Sequence, residues 1–337
     1  MRIGLVAPPW VPVPPPAYGG TEEVVDLLAR GLRAEGHEVL LAASADSTCP
    51  VARVDGTQPS DPGLTNDATS LAAQVVTAYA AMDEVDLVHD HTVAGPLYRG
   101  RPPGTPVVVT QHNAFSQDAI TALAAAAADT AVVAISHDHA ARAGDVPIAR
   151  VIHHGLDLDR IPVGDGQGGY AVFLGRMDPD KGAAEAVRIA RAAGVPLRLA
   201  AKMRTRDEHD YFEAEVRPLL TREHEYVGEV SGAEKLRLLG GAMALLNPIR
   251  WAEPFGLAMV EALATGTPVV GTPNGSAPEI VDHGATGFLA DAGELASLLA
   301  RVAELDRAAC RSATEERFSA GRMVRDHLSL YRTLVGG

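Results

Sequence analysis

Apolar runs too short to be helices alternate with amphipathic stretches along the first half of the chain. The run at 3–7 (IGLVA) predicts a buried strand, and 21–36 sets Val24, Val25, Leu27, Leu28 and Leu32 on a helical face. The next strand is expected at 39–43, and others at 86–89, 107–110, 131–135 and 150–153, with helices between most of them. Such alternation predicts an α/β fold, a parallel sheet covered on both faces.

The pattern then restarts. Strands are expected at 170–174, 197–201, 244–247 and 269–270, and helices at 181–193, 211–220, 233–240 and 256–264. The Gly- and Pro-rich stretch 160–169 between the two halves is the best linker candidate. This divides the chain into a domain at 1–165 and a second at 166–320. The last pattern, 294–334, reads as helical throughout, and residues 321–337 are expected to return to the first domain. Two doubly wound, Rossmann-like units predict a ligand cleft at their strand C-termini.

Composition narrows the function. At 337 residues the chain is long enough for two cores, and 47% hydrophobic residues exclude a disordered chain. No apolar run reaches the roughly 20 residues that span a bilayer, and the N-terminus has no signal-peptide pattern. Two distant cysteines, Cys49 and Cys310, supply neither a disulfide framework nor a metal cluster, so a reducing cytoplasm is expected. Net charge is −14, and residues 1–165 hold 9 of the 29 basic and 20 of the 43 acidic side chains, a balance of −11 against −3 for the rest. That acidity argues against nucleic acid and against stable membrane association. Only three lysines occur: Lys181, Lys202 and Lys235.

The most informative run is EPFGLAMVEALATGTPVV. Glu253 stands just before a predicted helix whose first N–H groups, at Phe255, Gly256 and Leu257, lack intrahelical partners and suit a phosphate. Glu261 lies eight positions on, a little over two turns along nearly the same face. Alone, the pair is more often a dipole-favoured charge and a solvated side chain. Gly19 and Gly20 open the first long helix, where backbone can approach an anion, though a Gly pair is more often a turn. Arg176 and Lys181, in FLGRMDPDKG beyond a strand end, offer the fork and the compact charge that adjacent phosphates need. His89 and His91 share a strand face, a conceivable metal pair without an obvious third ligand. His112 lies past a strand end and suits a substrate contact, whereas His153 and His154 fit a hinge or packing role as readily.

Taken in order, GGTE, TQHN, IHHGLD, FLGRMDPDKG, EPFGLAMVEALATGTPVV and GSAPEIV followed by GFL resemble the retaining GT-B glycosyltransferases of family 4 over essentially the whole chain. The resemblance implies two Rossmann-like domains facing a central cleft and transfer of a sugar from a nucleoside diphosphate donor, a UDP-sugar as the commonest in the family, without a metal or other cofactor. It implies that Arg176 and Lys181 neutralise the departing diphosphate and that Glu253, with N–H groups of Phe255, Gly256 and Leu257, holds sugar hydroxyls. Glu261 would bind the ribose, Gly19 and Gly20 would admit the phosphates, and His112 would contact the donor sugar, making with Glu253, Arg176 and Lys181 the catalytic set that the resemblance implies. Asp90 is a minor candidate for a base, and Lys202 for a further phosphate contact. Where the family often has Asn-Gly this chain has His154-Gly155, which leaves that position's role open.

The compact, Arg- and Ala-rich chain is also similar to small family members of actinobacterial antibiotic assembly. A soluble small-molecule or oligosaccharide acceptor follows from the acidic, Lys-free first half. The competing readings are a sugar-nucleotide epimerase or hydrolase, transfer to a lipid-linked acceptor, and a binding protein with a relict site.

Overall fold

The computed structural model describes residues 1–17 and 19–336. It divides into two compact units, one made of residues 1–156 with 320–337 and the other of 157–319.

The first unit is built on a seven-stranded sheet of β1 (Arg2–Val6), β2 (Glu38–Ala42), β3 (Ala52–Arg53), β4 (Leu87–Asp90), β5 (Val107–Thr110), β6 (Thr130–Ala134) and β7 (Ile148–Val151). The strand order is β3-β2-β1-β4-β5-β6-β7, and every pairing is parallel. Order reverses between β1 and β4, so the crevice beyond their C-terminal ends is where a doubly wound sheet takes a ligand. The apolar stripe predicted on the first helix is buried: Val24, Val25, Leu27, Leu28 and Leu32 lie inward on Gly20–Ala34. The C-terminal helix Ala320–Val335 packs against that helix, with Met323, Val324, Leu328 and Tyr331 buried.

The second unit carries a six-stranded parallel sheet of β8 (Ala171–Arg176), β9 (Leu197–Lys202), β10 (His224–Gly228), β11 (Ala244–Asn247), β12 (Val269–Gly271) and β13 (Gly287–Leu289). Their order is β10-β9-β8-β11-β12-β13, with the reversal between β8 and β11. Phe173, Leu197, Leu199, Leu246 and Val270 from the sheet share one core with Val187 of the helix Ala183–Ala193.

Three differences from the sequence reading have physical causes. Short β3, β10 and β13 escape the sequence reading because none of their runs, AR, HEYVG and GFL, holds two adjacent aliphatic residues. The 294–334 stretch is not one helical run: it breaks into Leu295–Leu299, a short 3-10 turn, Arg307–Arg317 and Ala320–Val335. Asp306 supplies one of those breaks, capping the third piece by accepting from Ala308 N at 2.8 Å. The 160–169 stretch is hydrogen-bonded onto the second unit, Gly164 N to Thr265 O at 2.9 Å, Gly166 N to Gly240 O at 3.0 Å and Gly168 N to Gly241 O at 2.9 Å. Its glycines serve close backbone packing there.

Candidate functional site

Glu253 and Glu261 flank the start of the helix Leu257–Ala264, as their spacing requires, but neither is a solvated side chain. Lys181 donates to Glu253, and so does the Trp251 indole, whose Nε1 lies 3.1 Å from Oε2. Lys181 Nζ also lies 5.0 Å from the Trp251 ring centre, inside cation–π range. Four residues into the helix, Glu261 accepts from Lys235, whose own helix is Gly232–Gly241. Only 9% of the Glu261 side chain and 14% of that of Glu253 is exposed, so both carboxylates are desolvated and depend on their lysines.

Local sequence explains the placement. Gly256 is the residue before the helix, at φ +85, a left-handed conformation that lets the Glu-Pro-Phe loop turn sharply; no side chain caps this helix start. Gly275 closes over the same loop: a Cβ there would sit 2.3 Å from the Glu253 nitrogen. Ser276 then fixes the loop from behind, its N–H donating to Glu253 O at 3.0 Å and its hydroxyl to Phe255 O. The Phe255 ring is buried and meets Phe318 edge-on at 6.0 Å, so this residue contributes a backbone position and an anchor. Leu257 opens the helix. At the far end, Arg307 and Arg311 donate to Thr265 O at 3.4 Å and Ala264 O at 3.0 Å, cations on the carbonyl end of the helix.

Arg176 ends β8 beside Lys202, its register partner at the end of β9. Its nearest carboxylate is Asp178 at 3.6 Å, and 39% of its side chain is exposed. Lys181 closes a 3-10 turn, Pro179–Lys181, whose start is capped by Asp178 accepting from Asp180 N at 2.8 Å. Burial and the neighbouring Arg204 lower the Lys202 pKa from its ordinary 10.5. Arg176, Lys181 and Glu253 thus share one end of the second sheet, at its reversal between β8 and β11.

In the first unit, Gly20 opens the first helix and Gly19 stands before it, where a Cβ would come 2.7 Å from Pro15. His112 is half-buried just beyond β5. Its Nε2 lies 2.8 Å from His91 Nδ1, and its ring stacks on His154 at 5.1 Å. Protein crowding and neighbouring imidazoles hold its pKa down to about 3, so it is neutral at any working pH. Both ring nitrogens of His89 are taken, by Tyr331 Oη and by Thr110 Oγ1. His154 is buried, and Arg322 donates to the His153 and His154 carbonyls at 2.7 and 3.0 Å. Asp90 is wholly buried, with Tyr79 Oη at 2.9 Å and Thr92 N at 2.7 Å; burial pushes its pKa up to about 6. Those contacts give Asp90 a structural part in the wall behind β4.

Three contributors were not placed by sequence reasoning: Trp251, Lys235 and His91 in its contact with His112. The first two had one usable signal, since the chain holds only two tryptophans and three lysines. The cross-strand histidine contact had none, because it depends on register.

Comparison with known proteins agrees with this architecture. Residues 18–160 match the family described as Glycosyltransferase Family 4, and 161–317 match Glycosyl transferases group 1. N-acetyl-alpha-D-glucosaminyl L-malate synthase of Bacillus anthracis is 30% identical over 115 residues, 32% of this chain and 29% of that one. Glycogen synthase of Mycobacterium tuberculosis is 31% identical over 162 residues, 45% of this chain and 38% of its own length. The matched stretches therefore span well under half of these relatives. Among solved structures, AviGT4, a glycosyltransferase involved in avilamycin A biosynthesis, is 27% identical with a TM-score of 0.75, over 100% of this chain and 98% of that one. The Anabaena protein HepE, solved with UDP and glucose, superimposes with a TM-score of 0.76 at 20% identity, covering 98% and 99% of the two chains, and shows a shared fold. Joined end to end, the two domain matches cover 18–317, and the chain belongs to the group 1 and family 4 glycosyltransferases of the GT-B fold.

Proposed function

We propose that this protein is a retaining glycosyltransferase that moves a sugar from a nucleoside diphosphate sugar, best a UDP-sugar, to a soluble small-molecule or oligosaccharide acceptor. The observation that carries the reading is the pair of desolvated carboxylates, Glu253 and Glu261, each held by a lysine at the start of one helix. A donor with a sugar at one end, a ribose at the other and a diphosphate between fits that spacing. The ligand of HepE supports a uridine donor, and the full-length likeness to AviGT4 supports a pathway of antibiotic or oligosaccharide assembly.

In this reading Arg176 and Lys181 take the diphosphate. Lys181 has three N–H donors, so it can keep Glu253 and still reach a phosphate oxygen. Glu253 accepts from sugar hydroxyls and Glu261 from the ribose, while Phe255, Gly256 and Leu257 bring backbone N–H groups close to the donor. Gly19 and Gly20 leave room for phosphate near backbone, and His112 contacts the donor sugar. The acceptor oxygen bonds to the anomeric carbon on the face from which the diphosphate leaves. The carbon–oxygen bond to phosphate breaks with its electron pair going to the diphosphate, and the acceptor proton passes to a phosphate oxygen. Offsetting the charge of that leaving group is the main electrostatic task, and it needs neither a metal nor a protein base. Asp90, buried on Tyr79 and Thr92, is not assigned one. A cytoplasmic setting fits two buried free cysteines.

Calorimetric titration of the purified protein with UDP, GDP and ADP tests the site. Selective binding of UDP, weakened about tenfold or more in both Glu261→Ala and Lys181→Ala, is expected for loss of a charge-assisted contact. Absence of binding by all three nucleotides overturns the reading.

A further inference from the structure

Two side-chain rungs cross from β4 to β5 at the same sequence offset. His89 Nε2 lies 2.8 Å from Thr110 Oγ1, and His91 Nδ1 lies 2.8 Å from His112 Nε2, each pair 21 residues apart. Strand alternation puts His89 and His91 on one face; the parallel register sets His89 opposite Val108, so Thr110, and His112 just past the end of β5, lie two residues further along on the same face, within diagonal reach. The first rung is complete, because Tyr331 takes the other nitrogen of His89. The second is open at both ends. His91 Nε2 is buried with no hydrogen-bond partner, and the bond to His91 is the one hydrogen bond of His112 among the described residues.

A neutral imidazole has one N–H and one bare nitrogen, so the 2.8 Å contact has two possible polarities. If His112 donates from Nε2, the His91 proton must sit on Nε2, where a buried N–H is stranded, flanked by the His89 ring at 4.2 Å. If His91 donates from Nδ1, what is stranded is a lone pair. Orphaned buried N–H groups are the rarer defect in folded proteins, and under-satisfied acceptors the commoner one. The second polarity is therefore favoured, and it leaves the His112 proton on Nδ1, the nitrogen that faces away from His91. A shared charge does not change the choice, since burial keeps both rings neutral.

We propose that His91 is a positioning residue that fixes His112 as its Nδ1–H tautomer, so that His112 meets a donor-sugar oxygen as a hydrogen-bond donor and has no free nitrogen with which to accept a proton. This rests on the reading in which His112 contacts the donor sugar, and it refines that reading. A sugar hydroxyl offers lone pairs to an N–H, whereas a bare Nδ1 would have competed for protons in a reaction whose acceptor proton goes to the leaving phosphate. Tautomers of metal-bound and catalytic histidines are set by the bond made at the other ring nitrogen, and here that bond is supplied by a second histidine.

Long-range proton–nitrogen spectra of protein labelled with nitrogen-15 at histidine test this directly, with His112 assigned through His112→Gln. The Nδ1–H pattern for both His91 and His112 in the unliganded wild type is expected. An Nε2–H pattern for His112 overturns the proposal, whatever the enzyme does. His91→Phe, which has no donor, should return His112 to Nε2–H and lower kcat about tenfold or less, the size of one uncharged hydrogen bond, with KM for the donor nearly unchanged. His91→Asn, whose amide N–H replaces the Nδ1–H, should restore both the spectrum and kcat. A His91→Phe protein that keeps the wild-type tautomer and kcat also overturns it, and if that variant folds poorly the wild-type spectrum decides. The expected tautomer with full turnover in His112→Gln would instead sink the sugar-contact reading and leave the tautomer assignment standing.

Discussion

His89, His91, His112, His154 and His327 in the first unit are all pushed below their ordinary pKa of 6.5, chiefly by burial, and so sit neutral inside the protein. In the second unit, the charged groups desolvated around the helix Leu257–Ala264 are each partnered: Lys181 with Glu253, Lys235 with Glu261, and Arg307 on a ring of carbonyls. Both arrangements satisfy the rule that buried polarity must be neutral or paired. They respond to different perturbations. A neutral histidine interior is vulnerable to protons, whereas a paired-ion site is vulnerable to loss of a partner and is open to a ligand that offers charges of its own.

The largest expected effect breaks the second arrangement. Lys181→Met removes both the partner of Glu253 and a cation from the proposed diphosphate contact. Steady-state kinetics should show kcat/KM lowered by about 100- to 1000-fold, the cost of removing one preorganised electrostatic contact from a transition state. A drop of less than tenfold would mean that the Lys181–Glu253 pair is a structural strut, and the contrast between the units would lose its functional meaning.

Next in size is the acid response of the first unit. Each of the five rings has a folded-state pKa below its unfolded value, so the unfolded chain binds more protons between the two values. Stability is therefore complete above about pH 6.5 and drains away as pH falls towards the folded values. For His327, held at about 4 with Nδ1 on Met323 O at 2.9 Å and Nε2 unpartnered, the loss between pH 7 and pH 5 is about 2 kcal/mol. Urea unfolding of His327→Gln at the two pH values should show that much less pH dependence than the wild type. Equal dependence in both proteins would mean that His327 does not hold the proton balance.

This contrast also marks what could be read from the sequence. The EPFG run, the Arg176 and Lys181 segment and the two alternating halves were legible because each is a local pattern: a strand, a turn with Gly, a helix start. Lys235 against Glu261 and His91 against His112 join residues 26 and 21 positions apart, and they meet only when two elements take up one particular register. The stretch 160–169 carries the composition of a free linker, yet Arg307 donates to Gly164 O at 3.2 Å and the strip lies fixed on its unit. Composition reports what backbone a segment can adopt, and neighbours decide whether it is tied down. The histidines gave no sign of neutrality, since their interior position is a product of the whole sheet.

The smallest expected effect sharpens the comparison by reversing a sign. Asp90 is the acidic member of the same interior, and burial raises its pKa from 3.8 to about 6 despite hydrogen bonds from Tyr79 and Thr92 that favour the charged form. With its folded value above its unfolded one, the folded protein binds the extra proton, and stability falls as pH rises through about 4 to 6. That slope opposes the histidine slope over the lower part of the same window, so the wild-type acid response is the difference of the two. Asp90→Asn removes the opposing contribution while keeping an acceptor for Thr92 N. The variant should therefore lose stability more steeply than the wild type as pH falls from 6 to 4, seen as a larger shift of the urea midpoint with an unchanged m-value. A shallower response would mean that the fold lowers the Asp90 pKa instead of raising it, so that its slope adds to that of the histidines.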